Sequence, residues 1–503
     1  MKRIALLCGV VFVCGVVGVW KLTDIPGDWY GDISIVHEYV RDVLAGLWPW
    51  HYVASAGPLY HYLIAPGIAA IGHSYLSYKF MSVAVGMIGV VATYVLAAEV
   101  LGITWGALTA LVAGTSFWWL VWERLGNSQI FIVTLTSLTV WFAYRWWKTG
   151  HARYAVLGTV ISSLGLFVYP QTWVLPILFL LLTVSEHQRV SWRRDGKWII
   201  TTECIIGILW YLVVFRSADV FSSGYLGSKI WPAFTTSPVI FFGRLLRYAA
   251  TTALMLHVRG DGVFRVNVPG SPQLDVISGL LFLLGIVAWI WRGDKKKLVF
   301  ILLPISVLVL PSISPALPEA EIPNSGRTIG ILPFVMVCVV YGMKFIYDLL
   351  SRKTKSISIF LVIALTVFVG VLNLHKYFME YPQGLPNDNT PYARVVAAYI
   401  DTIPVSFPVY LASCCWGGWG QPEPKAIYYQ LQREEKRSNL LAVQNLQCRD
   451  IDRRKNIIVI GRPDDASWVT KFYTCRPDAV QSVHKSGTGQ NVFVSLYFPK
   501  SSE

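Results

Sequence analysis

Runs of about 20 apolar residues recur along this chain, and an α-helix of that length crosses a hydrocarbon core of about 30 Å. Eleven stretches reach or approach that length: residues 4–20, 80–98, 102–121, 130–147, 154–168, 172–184, 198–215, 276–291, 298–310, 328–347 and 357–374. Composition agrees with them. Of 503 residues, 54% are apolar and only 14% are charged, against about 25% charged in ordinary soluble domains. Mean hydropathy is +0.50. One or two water-soluble domains cannot be the main content of such a chain. A polytopic α-helical membrane protein with about 11 transmembrane helices is expected.

The polar connectors test that reading. With Lys2 and Arg3 on the cytoplasmic side, the basic connectors Arg145/Lys148/Arg153, Arg189/Arg193/Arg194/Lys197, Arg292/Lys295/Lys296/Lys297 and Arg352/Lys353/Lys355 fall on that side too, as the positive-inside rule requires. This accounts for much of the formal charge of +14, so no nucleic-acid partner is expected. The first apolar run, with its basic start, also fits a signal peptide, but no small-residue cleavage site follows Val19 and Trp20.

Three regions then lie outside the cytoplasm: residues 21–79, residues 216–275 and the tail 375–503, with a shorter loop at 311–327. The tail loses the apolar density. A helix-like stretch at 392–400 and strand-like runs at 409–412, 457–460 and 492–498 predict a small extracytoplasmic α/β domain. The expected organisation is therefore a membrane domain, 1–374, and a soluble C-terminal domain, 375–503. Cys8, Cys14, Cys204 and Cys338 lie in apolar segments, where cysteine acts as a small hydrophobe. Cys414, Cys415, Cys448 and Cys475 are all in the tail, an even number that in an exported domain points to one or two disulfides. A zinc site is the weaker rival, because the spacings match no zinc ribbon and no histidine stands at ligand distance.

No charge falls in the middle of an apolar run, where it would mark an ion path; Glu99, Glu203 and Lys344 are near cytoplasmic ends. The acidic residues suited to catalysis follow the first span, in Thr23-Asp24-Ile25-Pro26-Gly27-Asp28-Trp29-Tyr30-Gly31-Asp32. A helix-like stretch at 33–45 comes next, then Ser55-Ala56-Gly57-Pro58-Leu59-Tyr60-His61-Tyr62. A carboxylate flanked by Trp29 and Tyr30 is partly desolvated, which raises its pKa toward working pH and suits a general base. Asp28 or Asp32 equally suits the N-cap of the helix near residue 33, and on spacing alone capping is the stronger reading.

The lone first helix, the loop opening with Gly27-Asp28, the later Gly57-Pro58-Leu59-Tyr60-His61-Tyr62-Leu63 and Trp122-Glu123-Arg124-Leu125-Gly126-Asn127 together resemble the GT-C class of membrane glycosyltransferases. More closely, they are similar to bacterial members of glycosyltransferase family 39, the protein mannosyltransferase and aminoarabinose transferase relatives. The loop 315–327 followed by Ile329-Gly330-Ile331-Leu332-Pro333 also fits. The likeness runs through residues 20–400 and is strongest in 24–180.

The resemblance implies an inner-membrane enzyme that takes a polyprenyl-phosphate-linked sugar as donor. The acceptor would be a hydroxyl of a protein, glycolipid or polysaccharide, met outside the cytoplasm. An acidic residue of the first outer loop would be the base; the Gly27-Asp28 match makes Asp28 the first choice and Asp32 the second. Many relatives have Asp-Glu together, whereas here Trp29 follows Asp28. The reaction would be one inverting displacement, with a cation stabilising the departing phosphate. Arginine fits that task. Arg124 and Arg327 stand at outer segment ends, where snorkelling is the plain alternative. Within 238–258, Arg244 and Arg247 share a helical face; this stretch reads as an interfacial helix, meeting either the donor phosphate or anionic membrane lipid. Tyr60, His61, Asn127, Gln129, Tyr169 and Gln171 suit sugar hydroxyls, though singly each is an ordinary interfacial or satisfied polar group. No tight metal site and no certain cofactor is expected, with a divalent cation left open. Trp416-Gly417-Gly418-Trp419-Gly420 is either an exposed aromatic loop or a tight turn. No P-loop, dinucleotide fingerprint or nucleophile elbow is present. The rival readings are a secondary transporter or lipid flippase, which usually shows repeated halves and midplane polar sites, and a catalytically silent assembly factor that keeps the fold.

Overall fold

The computed structural model describes residues 2–29, 33–52, 56–185, 189–216, 234–412, 424–442, 446–462, 466–486 and 489–501. Its longer helices, in chain order, are α1 (Lys2–Val19), α2 (Ile33–Leu44), α3 (Pro58–Ile71), α4 (Tyr75–Leu101), α5 (Ile103–Gly114), α6 (Phe117–Arg124), α7 (Gln129–Thr149), α8 (Ala152–Leu164), α9 (Leu175–Ser185), α10 (Arg189–Arg216), α11 (Pro238–Leu254), α12 (Val276–Arg292), α13 (Lys295–Val309), α14 (Leu332–Leu350) and α15 (Lys355–His375). Each of the eleven apolar runs lies on helix. Among the described residues, four helical stretches are long and apolar enough to cross a membrane: Tyr75–Leu101, Lys295–Ile313, Ser325–Leu350 and Lys355–Gln383. The pair α5 and α6 makes a fifth if it counts as one span.

That pair departs from the single span expected over 102–121. It bends by 61° for a local reason. Ser116 Oγ accepts the N–H of Trp119 at 3.3 Å, and Asn373 Oδ1 accepts the N–H of Phe117 at 2.9 Å. The first amides of α6 are thus satisfied by side chains rather than by carbonyls of α5, so the helix restarts in a new direction. Elsewhere the helix ends follow ordinary punctuation. Asp275 caps α12 by accepting the N–H of Ser278 at 2.9 Å, worth about 1 kcal/mol, and Gly150 closes α7 in the left-handed region with φ of 65°.

The chain divides into two compact units. The first comprises Met1–Leu22, Glu38–His73 and Ser77–Tyr381. Its packing depends on small residues: a Cβ on Gly285 of α12 would lie 2.0 Å from the Cys338 carbonyl oxygen, and one on Gly342 of α14 would lie 2.3 Å from that of Leu281. Backbones approach that closely only where side chains are absent. Of the charges expected near cytoplasmic helix ends, Glu99 and Lys344 are in ion pairs, while Glu203 accepts the Ser162 and Ser163 hydroxyls at 3.1 and 2.7 Å. Glu99 meets Arg145 at 3.2 Å and Lys148 at 2.8 Å, and Asp348 meets Lys344 at 2.7 Å and Arg292 at 2.8 Å. Cys14 and Cys338 are buried free thiols, while Cys8 and Cys204 are exposed.

The second unit comprises Thr23–His37, Ser74–Leu76 and Pro382–Glu503. It carries a five-stranded sheet of β1 (Val409–Leu411), β2 (Leu440–Ala442), β3 (Ile457–Gly461), β4 (Val480–Lys485) and β5 (Asn491–Phe498), in the order β2-β1-β3-β5-β4. β1 runs parallel to β2 and β3; β5 runs antiparallel to β3 and β4. Helices α16 (Tyr392–Thr402), α17 (Pro424–Gln430) and α18 (Ala466–Cys475) complete the unit. Val459, Leu496, Phe498, Trp468 and Phe472 form its core. The strands expected at 409–412, 457–460 and 492–498 are therefore present, and β2 and β4 are additions. β4 ends in a register irregularity between His484 and Lys485 and is exposed along almost its whole length. Cys448 is disulfide-bonded. Cys414, Cys415 and the 416–420 loop lie outside the described residues.

Candidate functional site

Local geometry in the second unit begins at Gly27. Its N–H donates to Asn389 Oδ1 at 2.6 Å, and Asn389 Nδ2 donates to the Asp24 carbonyl at 2.8 Å. A Cβ on Gly27 would lie 2.2 Å from the Asn389 carbonyl oxygen, so glycine is required for this approach. Asn389 itself has φ of +60°, a left-handed conformation that asparagine tolerates.

This docking delivers Asp28 to the start of α16. Its Oδ1 accepts the N–H of Trp29 at 2.9 Å and its Oδ2 the N–H of Ala393 at 2.7 Å. The sequence places Asp28 as a cap for the helix near residue 33; the structure makes it a cap for α16 instead, whose own N-cap Pro391 offers no side-chain acceptor. Only 3% of Asp28 is exposed. Burial pushes its carboxyl up to about 6, against the opposing pull of the Ala393 and Trp29 amides, the Gln430 side chain and the Arg394 charge. Beside it lie buried rings: Trp29 is 5.4 Å from His37 and 5.2 Å from Tyr75, and His37 is 4.1 Å from Tyr429. Such pairs each contribute about 0.5–1.5 kcal/mol beyond their buried area. Asp32, with Tyr30 and Gly31, lies outside the described residues.

The other candidates belong to the first unit. His61 is fully buried, with Nδ1 2.8 Å from the Gly57 carbonyl oxygen and its ring stacked on Tyr39 at 4.2 Å. Tyr60 is fully buried, and Gln129 is 7% exposed. Gln171 Nε2 donates to the Leu308 carbonyl at 3.2 Å. Asn127 and Tyr169 are half-buried; Asn127 Oδ1 accepts the N–H of Ser128 at 2.7 Å, a local turn at the start of α7.

The four arginines differ sharply. The sequence places Arg124 at an outer segment end, at headgroup depth. It is fully buried, donating to the carbonyls of Val17 and Gly18 at 3.0 and 2.9 Å and to Tyr377 Oη at 3.0 Å. It thereby ties the end of α1 to residues far along the chain. Arg247 pairs with Glu319 and Arg327 with Glu321, so these two converge on one short turn, Glu319–Glu321. Arg244 is exposed on α11, among the exposed side chains of Val239, Phe242 and Leu246; among the described residues it makes no ion pair.

Among the buried charges that escape a sequence reading are Lys79 and Glu123. Lys79 is 1% exposed and donates to the Leu22 carbonyl; it stands immediately before an apolar run and looks like an ordinary end residue. Glu123 is fully buried, packed against Gly18 and Gly86. Its only sequence signal is its place in the 122–127 motif. Among the described residues, no group of three or more His, Cys, Asp or Glu side chains could hold a metal ion.

A family model for dolichyl-phosphate-mannose-protein mannosyltransferases matches residues 55–213. No curated protein sequence matches the chain significantly. Among solved structures, the chain is similar to ArnT from Cupriavidus metallidurans in the apo state, with a TM-score of 0.57 and 12% identity over 99% of this chain and 98% of that one. It is similar also to ArnT from that organism bound to undecaprenyl phosphate, with a TM-score of 0.55 and 12% identity over the same shares. A third likeness is to the Archaeoglobus fulgidus oligosaccharyltransferase in complex with Zn and sulfate, with a TM-score of 0.53 and 12% identity over 96% of this chain and 72% of that one. The resemblance to the GT-C class read from the sequence holds at the level of the fold, which the chain shares with these solved structures along nearly its whole length.

Proposed function

We propose that this chain is a membrane glycosyltransferase that moves a sugar from a polyprenyl-phosphate donor to an acceptor hydroxyl on the outer face, with inversion. The observation that carries the reading is the likeness in fold along 99% of the chain to ArnT, a protein that one structure holds with undecaprenyl phosphate. In this reading about eleven spans belong to domain 1–374, the N-terminus is cytoplasmic in a plasma (inner) membrane, and domain 375–503 is extracytoplasmic. The one-sided basic connectors support that orientation.

Asp28 is the general base. It takes the acceptor's hydroxyl proton as that oxygen bonds to the anomeric carbon, while the bond from that carbon to the phosphate oxygen breaks and polyprenyl phosphate departs with the electron pair. A carboxyl near 6 is largely ionised at neutral pH yet still basic enough to accept a proton, which supports the assignment. Asp32 is the second candidate. Arg244, Arg247 and Arg327 stabilise the departing phosphate; the convergence of two of them on Glu319–Glu321 supports a shared site. Arg124 is better supported as a positioning residue, because carbonyls and Tyr377 already occupy its guanidinium. Tyr60, His61, Asn127, Gln129, Tyr169 and Gln171 contact sugar hydroxyls.

One observation favours the silent assembly factor: both oxygens of Asp28 already accept backbone N–H bonds. The purified protein, reconstituted with polyprenyl-phosphate sugars and scored for transfer, separates the two. Transfer by the wild type that is lost in Asp28→Asn, with the fold retained, supports the enzyme. No transfer to any protein, glycolipid or polysaccharide acceptor favours the silent factor. Movement of lipid or sugar that survives the substitution favours transport. Chelation with EDTA in the same assay tests a divalent cation.

A further inference from the structure

We propose that the groove between α1, α5, α14 and α15 holds one anionic diacyl phospholipid, with an acyl chain along the groove and the phosphate at its basic mouth. The groove has a volume of about 640 Å³ and is lined mainly by apolar side chains, among them Leu6, Val10, Leu111, Ile363 and Val367. Its few polar groups do not invite a polar ligand: the Thr366 hydroxyl already donates to the Val362 carbonyl at 2.7 Å. The α15 wall is outward-facing, with Ile359, Ile363 and Val367 exposed, so a chain enters sideways from the surrounding lipid.

The mouth has a different chemistry. Trp105 lines it from the first turn of α5 and meets Tyr347 of α14 edge-on at 5.5 Å; amphipathic rings of this kind sit at headgroup depth. Lys344 Nζ lies 5.9 Å from the Trp105 ring. Arg352, Lys353 and Lys355 are exposed in and just after the turn joining α14 to α15, and Arg3 is exposed one helical turn before Leu6. The acids near this group are already engaged: Asp348 by Lys344 and Arg292, and Glu99, which shares a pocket with Arg3, by Arg145 and Lys148. The amides at the starts of α5 and α15 add partial positive charge at the same end, and neither is capped by a side chain. An apolar groove with a cationic, amide-rich mouth fits a single negatively charged headgroup with a hydrocarbon tail. A zwitterionic lipid fills the groove but leaves the mouth unmatched. This inference stands or falls separately from the glycosyltransferase reading.

The test is native mass spectrometry of the full chain after exchange into detergent micelles doped with equal phosphatidylglycerol and phosphatidylethanolamine. One bound phosphatidylglycerol in preference to phosphatidylethanolamine is expected. Arg352→Glu/Lys355→Glu should weaken its retention roughly thirtyfold, from about 1 kcal/mol for each of the two basic residues near an anionic headgroup. Lys295→Glu/Lys296→Glu, an equal charge change on another connector, should leave retention unchanged. Leu108→Trp, which narrows the groove, should reduce retention of both lipids, and thermal unfolding in detergent establishes that each variant is folded. Equal retention of the two lipids overturns the proposal, as does an equal loss in the control pair or displacement of phosphatidylglycerol by undecaprenyl phosphate at the same site.

Discussion

Asp28 in the second unit and Asp261 in the first are both buried loop carboxylates, 3% and 1% exposed, and each ties together segments distant in sequence. Asp261 accepts the N–H of Val263 at 2.9 Å, the N–H of Ser325 at 2.7 Å and the Ser325 hydroxyl at 2.9 Å. Asp28 accepts two backbone amides. Burial raises both carboxyls, against their hydrogen bonds and against the Arg394 charge at Asp28 and the Arg327 charge at Asp261. Their surroundings differ. Asp261 sits in a tightly bonded loop, where Asn267 Nδ2 donates to the carbonyls of Asp261 and Ser271, both at 2.8 Å. Asp28 lies beside the rings of Trp29, His37 and Tyr429. Burial and an upward shift are therefore common to a loop anchor and a candidate base, and only the reaction distinguishes them.

The sharpest way to break this comparison is to replace each carboxylate with its amide. Asp28→Asn should slow transfer roughly 10²–10⁴-fold, whereas Asp261→Asn should leave the rate per folded molecule near wild type. Equal losses in initial-rate assays normalised to folded protein would make both residues anchors. The next effect is pH-dependent. The folded state holds the Asp28 proton up to about pH 6, against an ordinary value of 3.8. The native state therefore binds more protons in that window, and the stabilisation present below pH about 4 is lost as pH rises through 6, by roughly 3 kcal/mol. Thermal unfolding across pH 4–7 should show this slope in the wild type and not in Asp28→Asn. Activity should run the opposite way, rising with pH through about 6 as the base ionises. Smaller again, Asp261→Asn should cost about 2 kcal/mol of stability, because a buried amide group meets donors that a carboxylate satisfied. Smallest, Arg247→Ala should cost less than about 1 kcal/mol, since the Arg247 and Glu319 side chains are 65% and 61% exposed; a larger loss in Tm would mean that this pair acts like the buried anchors.

Much of the helical part was legible because each apolar run carries its own signal, independent of its partners. What escaped depends on distant residues. The break between α5 and α6 needs Asn373, which lies 256 positions from Phe117, and the burial of Arg124 needs Tyr377, 253 positions away. Asp28 could be recognised as a cap, but the Ala393 amide it caps lies 365 positions along the chain, whereas local spacing offers only the helix at residue 33. β4 was missed because its residues are exposed and largely polar, so it has no alternation to read.

That strand also governs how the sheet ends. β4 is an outermost strand, and an unpaired margin of backbone amides and carbonyls is a template on which another chain can add. The irregular register at His484 and Lys485 twists that margin, and the lysine places a charge where an incoming strand would lie. Among the described residues the sheet stops at five strands, and Lys485→Val is the change that would make this margin more open to stacking by neighbouring molecules.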